Sequence, residues 1–519
     1  MNANKRIENR LQFVLFQVFT WIFLLVFTYL FLGAFLFNTN SYKIGRFNNF
    51  YELIAFIAIG SGITLLYYFC KYAFHKLHMY HYIEKHWISI MLFFMLLMFI
   101  VQTKYFLNFS NIFGWDVGLI YNAAENGLNA DSITYFSWYP NNLLLLFIYK
   151  FIHRIALLTT QNSFINLLVI FNIVCTDLSI VALFFTAKMM FGLKQAYLSL
   201  YLSLILYAFF PWNICTYTDT VTLPFGIGLF LLYLLLYQAQ RPFSKAMIGI
   251  CMGIIVVIGC LIKPTIIIVA IAIIILHLML SLGSLKVFAK FAKFFGIVLL
   301  SALIAFITSH LFEKYQTVIK LQPDKTVPVE HFILLGSYQN QAQNLFGTWN
   351  PEDTNLTFSQ PNTQAMKKAE IVAIKKRLSR YGIKGYLSFL DKKARWVTED
   401  GTFFWGGEGQ FMQYDFNAKS QLELFIRNVV YVPGKYFKPY AYMLQGIWLF
   451  ILFLCCFPIL RKKKYSDPNI LIVRLTLLGI LLFLLLFESR SRYLINHLPF
   501  FCLLAVYGFH EMTTCFSNM

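Results

Sequence analysis

Long apolar runs constrain this chain more than any other feature of its sequence. A helix needs about 20 apolar residues to cross a bilayer, and twelve runs come close to that length or exceed it. They lie at 11–37, 51–70, 88–107, 163–187, 196–213, 221–238, 246–262, 265–283, 294–312, 441–460, 468–487 and 494–511. Of the 519 residues, 59% are hydrophobic and only 13% are charged, which excludes a soluble globular protein. We therefore predict an all-α polytopic membrane protein with about 12 transmembrane helices.

The positive charges of the chain indicate how these helices are oriented. Lys and Arg concentrate in six segments, at 1–10, 71–87, 188–195, 239–245, 284–293 and 461–467. A cytoplasmic N-terminus places 17 Lys and Arg residues in inner segments and 7 in the short outer loops, as the positive-inside rule requires. Both termini of this multi-pass cell-membrane protein are therefore expected in the cytoplasm. Because topology accounts for the net charge of +20, nucleic acid is not expected as a partner.

One apolar segment does not fit this alternation. The stretch "NNLLLLFIYKFIHRIALLTT" at 141–160 is interrupted by Lys150, His153 and Arg154. If it crossed the membrane, every later loop would change sides and most later basic residues would face outward. We therefore expect an amphipathic helix that lies in the outer membrane interface.

This topology divides the chain into four parts. Residues 1–87 would add two N-terminal transmembrane helices, and 88–312 would form a transmembrane catalytic module with an outer loop at 108–162. Residues 313–440 contain the longest hydrophilic stretch and are expected to form an extracytoplasmic mixed domain. Residues 441–519 would supply the last transmembrane helices.

Three polar residues stand at predicted outer ends of helices. Asp116, in "FGWDVGLIYN", opens a short helical stretch, so it could act as an N-cap or as a general base. Asp219, in "YTDTVTLPF", is also placed at a helix start. Lys263, in "GCLIKPTIII", precedes the helix-breaking Pro264. A lysine there could extend to the lipid headgroups or bind an anion.

A short charged element separates the last two predicted helices. In "ESRSRY", Glu488, Arg490, Arg492 and Tyr493 lie between two nearly pure hydrocarbon runs. Arginine binds phosphate bidentately and remains charged at any physiological pH. The element could hold a phosphate at the membrane surface, or it could be a salt-bridged hinge that closes the helix bundle.

Taken in order along the chain, these elements resemble the GT-C class of membrane glycosyltransferases. The resemblance rests on Asp116 in the first outer loop, "YFSWYPNN", "YTDT" and "ESRSRY", and covers roughly residues 88–511. It is nearest to the polyprenyl-phosphate-sugar-dependent branch, which includes protein O-mannosyltransferases and the lipid A aminoarabinose transferase. The outer stretches "HFILLGSYQNQAQNLFGTWNPED" and "WVTEDGTFFW" are similar to those of Gram-positive members.

The resemblance implies a set of functional residues. Asp116 matches the catalytic base of the class, and Lys263, Arg490, Arg492 and Tyr493 would bind the donor phosphate. Two further acids would support them, Asp219 and Glu488. Some relatives carry a paired acidic motif where this chain has Val117 after Asp116, which weakens the case for a metal. No cofactor is firmly implied, no metal ligand is assigned, and a divalent metal is left open.

The function implied by the resemblance is that of an inverting glycosyltransferase with its active site on the outer face. Its partners would be a polyprenyl-phosphate-sugar donor lipid and an extracytoplasmic glycan, lipid or protein acceptor, including a cell-wall glycopolymer. Three alternatives remain. One is another enzyme, a lipid-linked glycan polymerase or ligase; the second is a flippase or transporter of envelope glycans; the third is a non-catalytic assembly partner. Transporters usually show internal repeats and polar groups at mid-membrane, whereas this chain collects its charges at one surface.

A cationic segment in the outer part of the chain allows two interpretations. The stretch "NTQAMKKAEIVAIKKRLSRYGIKGYLSFLDKKARW" shows apolar residues at helical spacing, with Lys and Arg mainly elsewhere around the helix. Such a helix could simply be solvated over a core. It could also rest on anionic headgroups or guide an anionic acceptor polymer.

Overall fold

The computed structural model describes residues 10–36, 47–76, 79–159, 164–282, 285–408, 414–457 and 468–516. Two of the basic segments, the N-terminal arm up to residue 9 and "RKKK" at 461–464, lie outside the described residues. Long helices dominate the first 315 residues. They are α1 (Arg10–Leu36), α2 (Asn49–Lys76), α3 (Tyr80–Leu107), α7 (Phe164–Phe191), α10 (Leu223–Gln238), α11 (Pro242–Ile262), α12 (Ile267–Ser281) and α13 (Leu285–Tyr315).

Shorter helices fill the connections between them. They are α4 (Asp116–Glu125), α5 (Ala130–Trp138), α6 (Leu143–Leu158), α8 (Leu193–Ser203) and α9 (Thr218–Val221). The outer segment contains α14 (Val329–Gly336), α15 (Pro351–Phe358), α16 (Thr363–Thr398), α17 (Trp405–Glu408) and α18 (Gln421–Val430). Its one described hairpin pairs β1 (Gln339–Asn340) with β2 (Leu345–Phe346) in antiparallel register. The chain then returns to long helices, α19 (Phe437–Cys456), α20 (Pro468–Leu486) and α21 (Leu498–Phe516).

Twelve described helical segments are long and apolar enough to cross a membrane, so the predicted all-α membrane fold is confirmed. Eleven of them coincide with predicted runs, and the twelfth is Pro140–Leu158. The predicted run at 196–213 is not a single helix. After α8 the chain forms a π-helical turn, Leu204–Ala208, and then a 3-10 turn that begins at Pro211. Proline has no backbone N–H and ends the preceding helix, which explains the difference.

Contacts still show that the run at 196–213 joins the two ends of the bundle. Near its start, the Tyr197 hydroxyl donates to the Trp87 carbonyl at the beginning of α3. Past its end, the Tyr217 hydroxyl donates to Asp116, beyond the end of α3. The end of the bundle at which α3 ends and α7 begins is called the site end below.

Contacts of α6 likewise place both of its ends at the site end. The chain enters α6 beside the cavity described below, which Asn141 and Asn142 line. Farther along α6, the ring centroid of His153 lies 4.9 Å from that of Phe164, the first residue of α7. A helix that crossed a bilayer would end about 30 Å from its start, so these contacts support the predicted interfacial position. That position remains a prediction.

The core of the bundle lies around its last helices. In the span Ser491–Thr514, which covers most of α21, 83% of the most apolar window is buried, against 6% in α2 and in α13. Helices α2 and α13 therefore present most of their apolar surface outward, as expected for lipid-facing helices. The division into four domains remains a prediction, although the outer segment packs directly on α1 and α20 through α16.

Candidate functional site

A cavity of about 1020 Å³ opens between the site end of the bundle and the outer segment. Six of the seven residues singled out from the sequence line it: Asp116, Lys263, Glu488, Arg490, Arg492 and Tyr493. The seventh, Asp219, does not line the cavity but is bound to the lining residues Lys263 and Arg492, with only 3% of its surface exposed. The fold thus brings together residues that are up to 377 positions apart in the sequence.

The link between α20 and α21 is held in the cavity by the outer segment. The backbone N–H of Glu488 donates to the Phe332 carbonyl at 2.7 Å, and that of Ser489 donates to the Gly347 carbonyl at 2.7 Å. The chain then enters a 3-10 helix at Ser491–His497. Because backbone groups hold this link on one side, its arginine side chains are directed by a fixed main chain.

Asp219 is the shared counter-ion of two cations. The Lys263 ammonium donates to Oδ1 of Asp219, and Nη1 of Arg492 donates to Oδ2 at 2.6 Å. All three residues are at most 7% exposed. Removing charges from water is costly unless they are paired, so the carboxylate accounts for the burial of both cations. The three side chains carry a net charge of +1 beside the cavity.

Aromatic rings surround these cations. The guanidinium carbon of Arg492 lies 4.4 Å from the Trp115 ring centroid and 5.4 Å from that of Tyr217. Tyr493 lies between the two cations, with its ring centroid 5.0 Å from Arg492 and 4.7 Å from the Lys263 ammonium. Cations are attracted to the faces of aromatic rings, so this packing restricts both side chains further.

Asp116 lies in a different setting. Helix α4 begins at Asp116 and its N-cap residue is Trp115, so the capping position predicted as one alternative belongs to the tryptophan. Asp116 is half-buried, and its Oδ2 accepts a hydrogen bond of 3.1 Å from the Tyr217 hydroxyl. Burial, and after it the Asp116 carboxylate, raise the pKa of Tyr217 well above its ordinary value. Tyr217 therefore remains a protonated donor to Asp116.

Aromatic and amide side chains form the rest of the cavity wall. Tyr139 and Asn141 of "WYPNN" line it next to Asp116, and Trp349 lines it from the outer segment with half of its surface exposed. Flat ring faces of this kind suit stacking against a sugar. Phe404, from the stretch "WVTEDGTFFW", also lines the cavity.

Phe404 is held in an unusual backbone conformation. Phe403 and Phe404 have positive φ angles of 48° and 65°, which is rare for residues with side chains. The buried Asp400 carboxylate stabilises this turn by accepting from the backbone N–H groups of Thr402 and Phe404, at 2.8 and 2.9 Å. Burial raises the pKa of Asp400. Strained turns of this kind occur often at functional sites, and here the turn places Phe404 in the cavity wall.

Sequence reasoning missed one buried cation, Lys393 of α16. Its ammonium donates to the carbonyl oxygens of Gly336, Leu485 and Phe487, at 2.7, 3.1 and 2.7 Å. These carbonyls lie at the C-terminal ends of α14 and α20, where helix carbonyls lack intrahelical partners. Burial lowers the pKa of Lys393 to about 7, while the Glu488 carboxylate acts in the opposite direction. No sequence signal separates Lys393 from its neighbours in a basic helix.

Two other contacts bear on the predicted set. Nε of Arg490 lies 4.0 Å from Oε1 of Glu488, which is a loose contact. The buried ion pair between Arg492 and Asp219 is of the kind that the salt-bridged hinge alternative expects, so that alternative stays open. Within the described residues, no group of three His, Cys, Asp or Glu side chains is arranged to hold a metal ion. The roles assigned to the seven residues remain predictions.

Comparisons with known proteins give a family and one structural likeness. A family model described as "Conserved hypothetical integral membrane protein" matches residues 1–513, while no curated protein matches the chain. Among solved structures, the chain is similar to the archaeal oligosaccharyltransferase AglB from Archaeoglobus fulgidus, in complex with an inhibitory peptide and a dolichol-phosphate. The identity is 14% and the TM-score 0.38, over 84% of this chain and 51% of AglB. The chain therefore spans about half the length of that protein.

Proposed function

This chain belongs to the family of conserved hypothetical integral membrane proteins, and we propose that it is an inverting glycosyltransferase. In this proposal it moves a sugar from a polyprenyl-phosphate-linked donor to an acceptor outside the cytoplasm. One observation carries the proposal, namely that a half-buried carboxylate and a group of cations line the same cavity at one end of a membrane helix bundle. The active site would face outward, as the distribution of basic residues predicts.

Asp116 would act as the general base. The acceptor hydroxyl gives its proton to the Asp116 carboxylate, and its oxygen forms a bond to the anomeric carbon of the donor sugar. The bond from that carbon to the phosphate oxygen breaks, and its electron pair leaves with the lipid phosphate. A single displacement inverts the anomeric carbon. A positioned general base contributes about a hundred- to ten-thousand-fold to such a reaction.

The cationic part of the cavity would stabilise the leaving phosphate. Lys263 and Arg492 keep a net positive charge after Asp219 is counted, and Arg490 also lines the cavity. Because these cations are fixed by ion pairs and ring contacts before the substrate binds, little reorganisation is needed as charge develops on the phosphate. Tyr493 packs against two of them.

The position of the cavity agrees with a lipid-linked donor. It lies where α10, α12 and α21 begin, so the sugar-phosphate of a donor could enter while its isoprenoid tail stays in the bilayer. Half-exposed Trp349 lies at the part of the wall that the outer segment supplies. A sugar or acceptor could stack there.

The proposal is tested by complementation in the host. The gene is deleted and replaced by the wild type, by Asp116→Asn or by Asp131→Asn, at matched membrane levels. Asp131 is a suitable control because it is an exposed acid in the first turn of the neighbouring helix α5. The sugar composition of purified envelope polymers, lipids and proteins is then compared.

We expect one sugar to disappear on deletion, to return with the wild type and with Asp131→Asn, and to stay absent with Asp116→Asn. The missing sugar would then identify the donor. If Asp116→Asn restores the full composition, Asp116 is not a catalytic base and the proposal is wrong. If deletion causes intact glycans to accumulate inside the cell, the transporter alternative is favoured instead.

A further inference from the structure

Helix α16 changes direction at Gly382, and its two halves have different surroundings. Gly382 has a φ of +59°, a conformation that glycine adopts without strain. The first half packs on the outer segment, where Arg377 pairs with Asp353 at 2.7 Å. The second half also packs on the bundle, where Asp391 accepts from Tyr29 of α1 and Lys393 donates to the Leu485 carbonyl of α20. Its Lys393 keeps one contact with the outer segment, at the Gly336 carbonyl.

Contacts with α1 give the depth of this second half. The Tyr29 hydroxyl donates to Oδ1 of Asp391 at 2.5 Å, and a Cβ on Gly33 would lie 3.1 Å from Cγ of Arg395. Both α1 residues lie within a candidate membrane span that continues to Leu36. The part of α16 around Asp391 therefore lies beside a membrane helix, at a level inside the end of that helix.

Two large apolar side chains are exposed one and two turns before Asp391. Leu387 is 61% exposed and Ile383 is 86% exposed. The same stretch exposes two cations, Arg380 and Lys384. In water, exposed apolar side chains of this size would be unfavourable, whereas an apolar pair flanked by cations is typical of helices that lie in a membrane interface.

Helix α18 shows the same pattern at another place on the site end. Its Arg427 donates from Nε to the carbonyl of Asn108, at 2.9 Å, directly after α3 ends. A short connection joins the same C-terminal end of α18 to α19 at Phe437. The level of the C-terminal end of α18 is therefore set by the ends of two membrane helices. Within about two turns of that end, this 10-residue helix exposes Phe425 (55%) and Leu422 (65%).

Cations also surround the exposed apolar residues of α18. Lys419 precedes the helix, and Lys435 and Lys438 follow it; all three are exposed.

We propose that the second half of α16 and helix α18 together form a lipid-docking surface, in which Ile383, Leu387, Leu422 and Phe425 enter the bilayer interface and the neighbouring cations contact anionic headgroups. This surface would hold the outer segment at a fixed height over the membrane. The part of the cavity wall that the outer segment supplies would be held with it.

The level of these side chains favours lipid over other anionic partners. A wall polymer or an acidic protein could bind the cations. Such a polar partner would not cover the apolar side chains of Leu387 and Phe425. An anionic bilayer satisfies the apolar and the charged groups together. The surface does not depend on the proposed enzymatic activity, since neither helix contributes these residues to the cavity.

The test is photo-crosslinking in a bilayer of known composition. Benzoylphenylalanine replaces Leu387, Phe425 or, as a control, Val372, which is 66% exposed but lies in the first half of α16. The full chain is purified, placed in nanodiscs of phosphatidylcholine with phosphatidylglycerol, irradiated and examined by mass spectrometry. We expect lipid adducts at positions 387 and 425 and little or none at 372.

A second arm tests the charge. The double variant Arg380→Gln, Lys384→Gln is combined with the crosslinker at position 387, in nanodiscs with and without phosphatidylglycerol. Each cation near an anionic surface favours binding by about fivefold, so we expect the double variant to lose phosphatidylglycerol adducts and to leave phosphatidylcholine adducts unchanged. Adducts to polypeptide at 387 and 425, or equal lipid adducts at all three positions, would overturn the proposal.

Discussion

Two regions of the candidate site differ in how their charged side chains are buried and paired. On one side, Lys263 and Arg492 are buried and each is bound to Asp219, with tyrosine and tryptophan rings packed against the two cations. On the other side, Asp116 is half-buried and accepts a hydrogen bond from the Tyr217 hydroxyl. The first group loses its fixed arrangement if any member changes charge. The second can accept a proton while its neighbours keep their places.

This difference separates the binding of a phosphate from the transfer of a proton. A group that binds a phosphate works best when its charge is permanent and its position fixed. A general base must be accessible to the substrate and must be able to change its protonation state. The comparison therefore predicts that the two aspartates, although both lie at the site, differ in what their removal does.

The largest expected effect is that of Asp116→Asn on the rate of transfer. Removal of a general base should slow the return of the missing sugar by about a hundred- to ten-thousand-fold, while the melting temperature of the purified protein stays close to that of the wild type. Both are measured after induced expression in the deletion strain. Loss of thermal stability in Asp116→Asn would show that this side of the cavity is as structural as the other.

Asp219→Asn should act mainly on stability. It keeps the side-chain shape but leaves two buried cations without their counter-ion, which costs about 3–5 kcal/mol when one partner of a buried pair is removed. Thermal unfolding in detergent measures the effect. The double variant Asp219→Asn, Lys263→Met removes one of the cations and should recover part of the loss. If the double variant is no more stable than Asp219→Asn, Asp219 stabilises the protein through contacts other than these two ion pairs.

Lys393→Met should give a smaller, pH-dependent effect. It leaves three carbonyls at helix ends without their donor, at a cost of about 1–3 kcal/mol. Since the pKa of Lys393 falls from 10.5 to about 7 on folding, the unfolded chain binds more protons at this group between these values. Wild-type stability should therefore rise with pH in that window by about 1.4 kcal/mol per pH unit, relative to Lys393→Met.

The measurement for Lys393 is the unfolding free energy of both proteins from neutral to alkaline pH. Lys392→Met serves as the control, because it removes a half-buried neighbouring lysine and leaves Lys393 in place. A constant difference between wild type and Lys393→Met across the window would contradict the lowered pKa.

Tyr217→Phe is expected to have the smallest effect. It removes one hydrogen bond to Asp116, worth about 1 kcal/mol, so the rate of transfer should fall by about fivefold. Tyr121→Phe is matched to it, because that hydroxyl binds Glu125 within α4 and not Asp116. A loss with Tyr217→Phe as large as that with Asp116→Asn would mean that the tyrosine takes part in proton transfer itself.

Much of the fold follows from the sequence, because membrane spans depend on local apolarity. Eleven predicted runs appear as candidate spans, and each can be recognised from its own residues. The run at 196–213 differs for a reason that hydropathy does not contain, namely the π turn and Pro211 that divide it. Segment 141–160 could be interpreted only by considering the charges of all later loops.

That the candidate residues gather at one end of the bundle could be predicted from the sequence, but their geometry could not. Asp116, Lys263 and Arg492 were singled out because each is a charge at the end of an apolar run. That Asp219 joins two of them could not be known, since its own sequence context equally suits a helix start. Lys393 was hidden for the opposite reason, because a lysine in a basic helix attracts no notice until its burial is known.

The backbone link from Glu488 and Ser489 to the outer segment has a consequence for any attempt to build chimeras of this protein. Their N–H groups donate to carbonyls of Phe332 and Gly347, and Gly336 lies so close to Phe487 that a Cβ would meet its backbone at 2.5 Å. The outer segment is therefore not an exchangeable module. A graft that replaces it must bring its own link between α20 and α21, or the arginines of that link lose their alignment with the membrane half of the cavity.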